Sequence, residues 1–324
     1  MKLCFLVEEQ YRGDSMPLEV ARQLTDWGHC VDVLRPGGSL LALSHVVRKG
    51  THDAWVLKTA SGGPGLPLLE AAASVGLTTI NDARSIRSVR DKTSAAVIGQ
   101  SHGLPMPHTY ATARPEKLTE LPDTEYPLVV KPADGSSGRA VRLVRSPERL
   151  AELQTELARE KMLIAQRYVP NSGVDLKVYA IAGELYATER RSPLYRGRPA
   201  PERPVPVPAE VAGLVTEVGA VYGLDLYGVD VLLGPDGPVI VDINDFPSFR
   251  SVPNAAARVA QAVLRLADPG AAAAQPPLSE PCPAPEHGPR PDHLMGLPPD
   301  THQAGAACIA APVHSTTAGP GGSG

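Results

Sequence analysis

The sequence predicts an α/β fold in which a small parallel α/β domain precedes a larger, two-lobed domain. Short apolar strands alternate with helical segments over residues 1–82, a pattern typical of a parallel sheet with crossover helices. Strands joined by tight turns dominate residues 83–267 and indicate antiparallel hairpins. We place the two lobes of this second domain at about residues 83–160 and 161–267.

The C-terminal stretch, residues 268–324, differs in composition from everything before it. It is rich in Pro, Ala and Gly and contains no Phe, Trp or Tyr. Such a segment buries too little apolar surface to offset the entropy of ordering, so we predict a disordered tail.

Composition and charge argue against several classes of protein. The chain has 324 residues and a formal net charge of −4, which provides no bulk attraction to nucleic acid or membranes. No apolar run approaches the roughly 20 residues of a membrane span, and the N-terminus does not resemble a signal peptide. The cysteines are widely spaced and form no CxxC pair, which favours a reducing compartment. We therefore expect a cytoplasmic protein with neither nucleic-acid nor membrane partners.

The predicted elements of the N-terminal domain follow from its apolar runs. Strands are predicted at residues 1–7, 31–34, 54–58 and 77–80, and helices at residues 18–27 and 66–75. Lys58 stands at the carboxyl end of the third strand, where ligands of open parallel sheets gather. A solvated lysine is the alternative interpretation of that position.

Two short helices are predicted to follow, with Ser85 and Asp91 as their N-caps. Four basic residues in this region have mostly helical spacing, and such a cluster is typical of a solvated face: Arg84, Arg87, Arg90 and Lys92.

The stretch YPLVVKPADGSSGRAVRLV, residues 126–144, predicts a strand, a Gly/Ser-rich loop and a second strand. Backbone N–H groups of such a loop can approach phosphate oxygens, and Lys131 lies just before it. Ser146 and Pro147 then predict the start of a helix that ends near Glu160.

The second lobe begins with a strand at residues 162–169 and a hairpin formed by residues 175–181 and 184–190. A basic and then proline-rich connector follows, with Arg190, Arg191, Arg196 and Arg198. A solvated basic connector is one interpretation of these arginines. Helices are predicted at residues 209–222 and 255–267.

The stretch LYGVDVLLGPDGPVIVDINDFP, residues 226–247, predicts a β-hairpin around a Gly-Pro-Asp-Gly turn. Centring it on Asp236 places three apolar residues opposite three others, namely Val229, Val231 and Leu233 opposite Ile243, Val241 and Val239. On the other face Asp230 lies opposite Asp242, with Asn244 on the same side. Opposed carboxylates repel, so this face predicts either an ion network or a site for a hard cation such as Mg²⁺.

Four stretches in this order resemble the ATP-grasp superfamily, in particular its RimK-like carboxylate–amine ligases. They are SIRSVRDKTSAAVIGQSHGLPMPHTY, PLVVKPADGSSGRAVRLV, IAQRYVPNSGVDLKVYAIAGELYATERR and YGVDVLLGPDGPVIVDINDFPSF. The resemblance covers about residues 81–267 and implies an ATP-grasp domain preceded by a pre-ATP-grasp α/β domain.

The resemblance also implies roles for individual residues. Lys92 and Lys131 would bind the α- and β-phosphates, with Lys131 also catalytic, beneath a loop formed by Gly135, Ser136, Ser137 and Gly138. Gln166, Tyr168 and Val169 would hold the adenine, Asp175 the ribose, and Lys177 a phosphate or substrate. Asp230, Asp242 and Asn244 would carry one or two Mg²⁺ ions, with Mn²⁺ as a substitute. Arg190 would stabilise the reacting phosphate, and Lys58, Arg191 and Ser248 would contact the substrate.

The implied reaction is ligation of a small-molecule or peptide carboxylate to an amine through an acylphosphate. Many members of the superfamily form homo-oligomers, so the resemblance also implies a possible homo-oligomer. Two departures leave alternatives. Asp242 stands where these ligases usually have Glu, which is similar to the inositol phosphate kinases of the superfamily, and a proline-rich connector replaces a Gly-rich substrate loop. A small-molecule kinase and a non-catalytic nucleotide-binding regulator are therefore the alternatives.

Overall fold

The structure is a computed structural model that describes residues 1–11, 15–48, 50–59, 63–135, 140–192, 194 and 202–268. All of these residues lie in the first of the two units into which the chain divides, Met1–Cys282. The predicted tail beyond Asp268, the loop residues Ser136, Ser137 and Gly138, and Arg196 and Arg198 lie outside the described residues.

The N-terminal sheet has four parallel strands in the order β2-β1-β3-β4. The strands are β1 (Lys2–Val7), β2 (Cys30–Leu34), β3 (Ala54–Lys58) and β4 (Thr78–Ile80). Helices α1 (Met16–Asp26), α2 (Leu43–Val46) and α3 (Gly65–Ser74) connect them. β1 and β3 are apolar along most of their length because both faces of a parallel sheet are covered. The predicted parallel α/β arrangement is confirmed.

Helices α4 (Ala83–Arg90) and α5 (Lys92–Ser101) lead into the rest of the chain. The Asp82 carboxylate caps α4 by accepting from the Arg84 N–H at 2.7 Å, so the prediction of Ser85 as N-cap was wrong. Asp91 caps α5, as predicted, by accepting from Thr93 N at 2.8 Å and Ser94 N at 3.2 Å. An aspartate thus satisfies free N–H groups at the start of both helices.

An antiparallel sheet of four strands follows, in the order β5-β8-β6-β7. Its strands are β5 (Thr109–Thr112), β6 (Leu128–Pro132), β7 (Arg142–Val144) and β8 (Leu163–Arg167). Helix α6 (Pro147–Leu157) buries Leu150, Leu153 and Leu157 against this sheet. Leucines at positions i, i+3 and i+7 share one face of a helix, which explains why this face is covered.

The third sheet has five antiparallel strands in the order β11-β10-β9-β12-β13. They are β9 (Val174–Ile181), β10 (Glu184–Arg191), β11 (Arg203–Val205), β12 (Leu226–Gly234) and β13 (Gly237–Asn244). One apolar face packs against α7 (Ala209–Tyr222). The opposite face joins the N-terminal sheet and α8 (Ala255–Ala267) at one end, through a core that includes Phe5, Val56, Tyr179 and Val263.

The hairpin of β12 and β13 has a different register from the predicted one. Asp230 lies opposite Asp242 and Val229 opposite Ile243, as expected, but Val231 then pairs with Ile240 and not with Val241. A β-bulge at this point shifts the remaining pairs by one residue, so the turn consists of two residues, Pro235 and Asp236. The bulge leaves the predicted pair of acids intact.

In the ranges that the structure describes, we find no helix with the length and apolar character to cross a membrane.

Candidate functional site

The polar face of the five-stranded sheet carries a row of side chains that runs across four strands. Thr188 pairs with Lys177, Lys177 with Asp230, and Asp230 with Asp242. Because side chains at directly paired positions stand side by side, the register alone brings a lysine and two predicted metal ligands together. We call Lys177, Asp230 and Asp242 the charged row.

Two cations hold the central acid of this row. Lys177 Nζ lies 2.6 Å from Asp230 Oδ1, and Arg190 Nη2 lies 2.7 Å from Asp230 Oδ2. Arg190 also contacts Asp175, with Nε 3.1 Å from Oδ1 and Nη2 3.2 Å from Oδ2. Although burial opposes the charged form of Arg190, the two aspartates raise its pKa. The predicted catalytic arginine therefore lies beside the predicted metal site and stays charged.

The predicted phosphate-binding lysines approach the other end of the row. Helix α5 begins against the end of β6, because Lys92 N donates to Ala133 O at 2.9 Å. This places Lys92 Nζ 2.6 Å from Asp242 Oδ1, and Lys131 Nζ donates to the carbonyl of Val241 at 2.8 Å. Val241 is the bulge residue of β13, whose carbonyl accepts this ammonium group.

Burial and neighbouring charge act on these two lysines in opposite ways. Burial lowers the pKa of Lys131 to about 8, despite the attraction of Asp242. Burial also disfavours the charged form of Lys92, but the close carboxylate of Asp242 outweighs it and raises the pKa of Lys92. For Asp242, burial favours the neutral form, and the charges of Lys92 and Lys131 lower its pKa below the usual range.

The predicted metal ligands fit Mg²⁺ in their chemistry. Two carboxylates and one carboxamide offer only oxygen ligands, which suits a hard cation. Asn244 is two residues after Asp242 on the same strand and therefore shares its face. Its buried Nδ2 has no hydrogen-bond partner among the described residues, as expected if its partner belongs to a bound group. No cluster of three or more His, Cys, Asp or Glu side chains in the described ranges offers a competing site.

A narrow cleft between the two antiparallel sheets brings several predicted nucleotide contacts together. Lys92, Lys131, Gln166 and Asp242 all line it. Gln166 is buried on β8, and its Nε2 donates to Thr109 Oγ1 at 3.0 Å. Gly135, at the start of the predicted phosphate loop, has a φ of 144°, a conformation that favours glycine.

The other predicted adenine contacts follow β8 along the chain. Tyr168 N donates to Pro127 O at 2.8 Å, and the Val169 carbonyl accepts from Asn171 Nδ2 at 2.7 Å. Val169 also packs close to Gly234, next to the hairpin turn. The segment after β8 thus bridges the two antiparallel sheets.

The predicted substrate residues are dispersed. Lys58 donates to the carbonyl of Phe246 and lies near the rings of Tyr11 and Phe246, and burial lowers its pKa to about 8. Ser248 is exposed, one residue before the buried ring of Phe249. Arg191 is exposed, and strand alternation places it on the face opposite Arg190. The register therefore does not bring Arg191 to the charged row.

Sequence reasoning missed one buried residue in the basic cluster. Arg84 and Arg87 are exposed, as expected, but the side chain of Arg90 is buried and pairs with Asp245. The interpretation of Arg90 as part of a solvated face was wrong. The signal was its spacing, because Arg90 follows the buried residues Ala83 and Ile86 at positions i+7 and i+4 on the same helix face.

Comparison with known proteins identifies the family. The model of the RimK-like ATP-grasp domain matches residues 89–265. A probable alpha-L-glutamate ligase of Thioalkalivibrio sulfidiphilus is 27% identical over 204 residues, which span 59% of this chain and 67% of that protein.

Two solved structures share the fold. The RimK domain ATP-grasp protein from Sphaerobacter thermophilus has a TM-score of 0.64 at 20% identity, over 82% of this chain and 100% of that one. The ATP-grasp ligase PsnB, complexed with minimal precursor, Mg and ADP, has a TM-score of 0.60 at 16% identity, over 82% of this chain and 97% of that one.

These findings favour ligation over both alternatives, the small-molecule kinase and the non-catalytic regulator. The chain belongs to the RimK-like ATP-grasp family and is an ATP-dependent ligase that joins a carboxylate to an amine through a C–N bond.

Proposed function

We propose that this ligase activates the carboxylate of a small molecule or peptide as an acylphosphate and transfers the acyl group to the amine of an amino acid. Glutamate is the first candidate amino acid, because matching relatives are named probable alpha-L-glutamate ligases. A peptide is a candidate for the other substrate because the neighbour PsnB was solved with a precursor. The observation that carries the proposal is the charged row next to Lys92 and Lys131.

The lysines of the site bind the phosphates in this proposal. Lys92 and Lys131 reach the cleft from two different elements, and as flexible point charges they can follow phosphate oxygens. Lys92 and Lys177 each hold one carboxylate of the charged row. When the nucleotide enters, its phosphates take over these cations and release the carboxylates for the metal.

Asp230, Asp242 and Asn244 hold one or two Mg²⁺ ions, for which Mn²⁺ can substitute. The metal, when bound, neutralises charge on the β- and γ-phosphates. Gln166, Tyr168 and Val169 hold the adenine, and Gly135 begins the proposed phosphate loop.

Arg190 stabilises charge in both steps. A carboxylate oxygen of the substrate attacks the γ-phosphorus and the bond to ADP breaks; the amine then attacks the acyl carbon, phosphate leaves, and the amine loses a proton. Charge accumulates first on the phosphoryl oxygens and then on a tetrahedral oxyanion, where a fixed guanidinium is most effective. Asp175, predicted for the ribose, is already paired with Arg190, and this geometry supports a role in orienting that guanidinium.

The acyl acceptor side of the site faces the N-terminal sheet. Lys58 contacts the segment that follows Asn244 and Ser248 belongs to it, and both remain proposed substrate contacts together with Arg191. Assembly of this chain into a homo-oligomer stays a prediction.

A product assay tests the proposal. The full chain is incubated with ATP, Mg²⁺, glutamate and a panel of carboxylates and peptides, and ADP, free phosphate and product mass are measured. We expect ADP and phosphate in equal amounts, dependent on both amine and carboxylate, and a product with the mass of the amide. Arg190→Lys, which keeps the charge but loses the planar fork, should lower this rate. A phosphorylated product without free phosphate would overturn the proposal.

A further inference from the structure

The segment that follows the last predicted metal ligand is held from outside its own sheet. Strand β13 ends at Asn244, whose partner on β12 is Gly228. The next residues, Asp245 and Phe246, are buried and no longer belong to the strand. We call Asp245–Ser248 the post-hairpin segment.

Arg90 makes the main side-chain contact to this segment. Its Nε and Nη2 each lie 2.9 Å from one carboxylate oxygen of Asp245, so the pair is bidentate. The Arg90 and Asp245 side chains are only 8% and 11% exposed. Nη2 also donates to the Thr59 carbonyl at 2.9 Å, which fixes the guanidinium to the residue after β3. Arg90 therefore links the edge of the N-terminal sheet to the residue next to Asn244.

Two further contacts from the N-terminal sheet hold the same backbone. Asn81, directly after β4, donates from Nδ2 to the Asp245 carbonyl at 2.6 Å and to the Leu226 carbonyl at 2.8 Å. Its Oδ1 accepts from the N–H groups of Asp225 and Leu226. Lys58 donates to the Phe246 carbonyl. Asn81 thus joins the start of β12 to the end of β13, the two strands that carry the two carboxylates of the charged row.

These contacts hold the backbone on the C-terminal side of Asn244. Its backbone is fixed on one side by the hairpin and on the other side by Asp245, and Asp245 is held by Arg90 at its side chain and by Asn81 at its carbonyl. Gly228 opposite Asn244 has no side chain to hold the carboxamide, and Pro247 packs over it, since a Cβ there would lie 3.1 Å from Pro247 Cγ. Side chains that orient a ligand through another residue commonly tune metal affinity.

We propose that Arg90 is a positioning residue for the metal site, acting on Asn244 through Asp245. The inference rests on the proposed role of Asn244 as a metal ligand. Under this proposal, residues at the carboxyl ends of the N-terminal strands support the metal site, although Arg90 itself contacts neither metal nor nucleotide.

The test compares two conservative variants with a matched control on the same helix. Arg90→Lys keeps a positive charge beside Asp245 but loses the planar fork, and Asp245→Asn keeps the shape of the carboxylate but loses its charge. Arg87→Lys is the control, because Arg87 lies one turn earlier on α4 and makes an equally bidentate pair with Glu70, far more exposed at 57%. For each full-length variant, Mn²⁺ affinity is measured by electron paramagnetic resonance with a non-hydrolysable ATP analogue, and nucleotide affinity is measured in EDTA.

We expect Arg90→Lys and Asp245→Asn to weaken Mn²⁺ binding by about tenfold to a hundredfold, the range found when second-layer partners of metal ligands are removed. Nucleotide affinity in EDTA should stay at the wild-type value, and Arg87→Lys should change neither. A purely structural role would lower the melting temperature and leave Mn²⁺ affinity of the folded protein unchanged, and that result in both Arg90→Lys and Asp245→Asn would overturn the inference.

Asn244→Ala separates this inference from the proposed function. We expect it to weaken Mn²⁺ binding at least as much as Arg90→Lys does. Wild-type Mn²⁺ affinity in Asn244→Ala would overturn the metal assignment and the inference together. If Asn244→Ala bound Mn²⁺ weakly while Arg90→Lys and Asp245→Asn both bound it normally, only the inference would be overturned.

Discussion

The charged row and the Arg90–Asp245 pair are both ion pairs withdrawn from solvent, but they are built differently. Lys92, beside the row, and Lys177, within it, each make one short contact to one carboxylate oxygen of the row. Arg90 makes two parallel contacts to Asp245 and another to a backbone carbonyl. A lysine ammonium can turn to a new partner while its stem stays in place, whereas a bidentate guanidinium is fixed in direction.

This difference separates pairs that exchange partners from pairs that persist. In the proposed function, Lys92 and Lys177 give up their carboxylates when phosphates and metal arrive together. The Arg90–Asp245 pair has no ligand to exchange for and holds the backbone next to the site. Arg190 combines both features, because its planar guanidinium contacts two carboxylates, and one of them is Asp230 of the row. The two kinds of pair should therefore respond differently to substitution.

Loss of a row carboxylate should have the largest effect on activity. Asp242→Asn removes a charged metal ligand, and we expect ADP formation to fall by about a thousandfold, which corresponds to several kcal/mol of charge stabilisation. The melting temperature should change little, because the carboxamide keeps the shape of the side chain and can still accept from Lys92. Initial rates at saturating ATP and Mg²⁺ measure the first effect, and thermal unfolding measures the second. Wild-type turnover in Asp242→Asn would contradict the assignment of the row to catalysis.

Removal of Lys177, the lysine of the row, should have a smaller effect. It should raise the affinity for the metal and lower the affinity for the nucleotide. Lys177→Met frees one oxygen of Asp230 and removes a nearby positive charge from a site withdrawn from solvent. Mn²⁺ binding without nucleotide should therefore become stronger, by about tenfold. Nucleotide affinity in EDTA should fall, because a phosphate-binding cation is lost. Titration of the apo protein with Mn²⁺ and, separately, with ADP measures both.

Lys117→Met is the matched control for this change, since Lys117 pairs with Glu120 on an exposed turn far along the chain from the row. Neither affinity should move in that variant. If Lys177→Met weakened metal and nucleotide binding alike, the pairs of the row would not exchange partners, and the contrast with Arg90 would disappear.

The sequence was informative where local pattern determines position. Alternation on two strands and a recognisable turn placed Asp230 opposite Asp242, and the order of motifs led to Lys92 and Lys131. The bulge at Val241 was not predictable, because Val239, Ile240 and Val241 are all apolar, so the sequence does not show where the alternation shifts by one residue. Arg90 and Asn81 were missed for another reason: their partners lie 155 and 164 residues away at Asp245, and only tertiary packing brings them together.

The smallest effect that sharpens the comparison is a pH dependence of nucleotide binding. Burial lowers the pKa of both Lys131 and Lys58 to about 8, but only Lys131 lines the cleft. Phosphates favour the charged form of Lys131, so above pH 8 the free protein must take up a proton to bind. Nucleotide affinity in EDTA should therefore be flat below that pH and fall by up to about tenfold per pH unit above it, since each unit of a single titration is worth about 1.4 kcal/mol.

Arginine variants assign this dependence to one lysine. Lys131→Arg should abolish the fall, because a guanidinium stays charged throughout this range. Lys58→Arg should keep the wild-type profile, because Lys58 donates to the Phe246 carbonyl and belongs to the persistent contacts of the post-hairpin segment. Isothermal titration with ADP between about pH 7 and about pH 9.5 in buffers of different ionisation enthalpy also detects the proton uptake directly, as linkage requires. If the pH dependence of nucleotide affinity disappeared in Lys58→Arg and persisted in Lys131→Arg, Lys58 and not Lys131 would be the titrating group. The division between reactive and persistent charges would then be wrong for these two lysines.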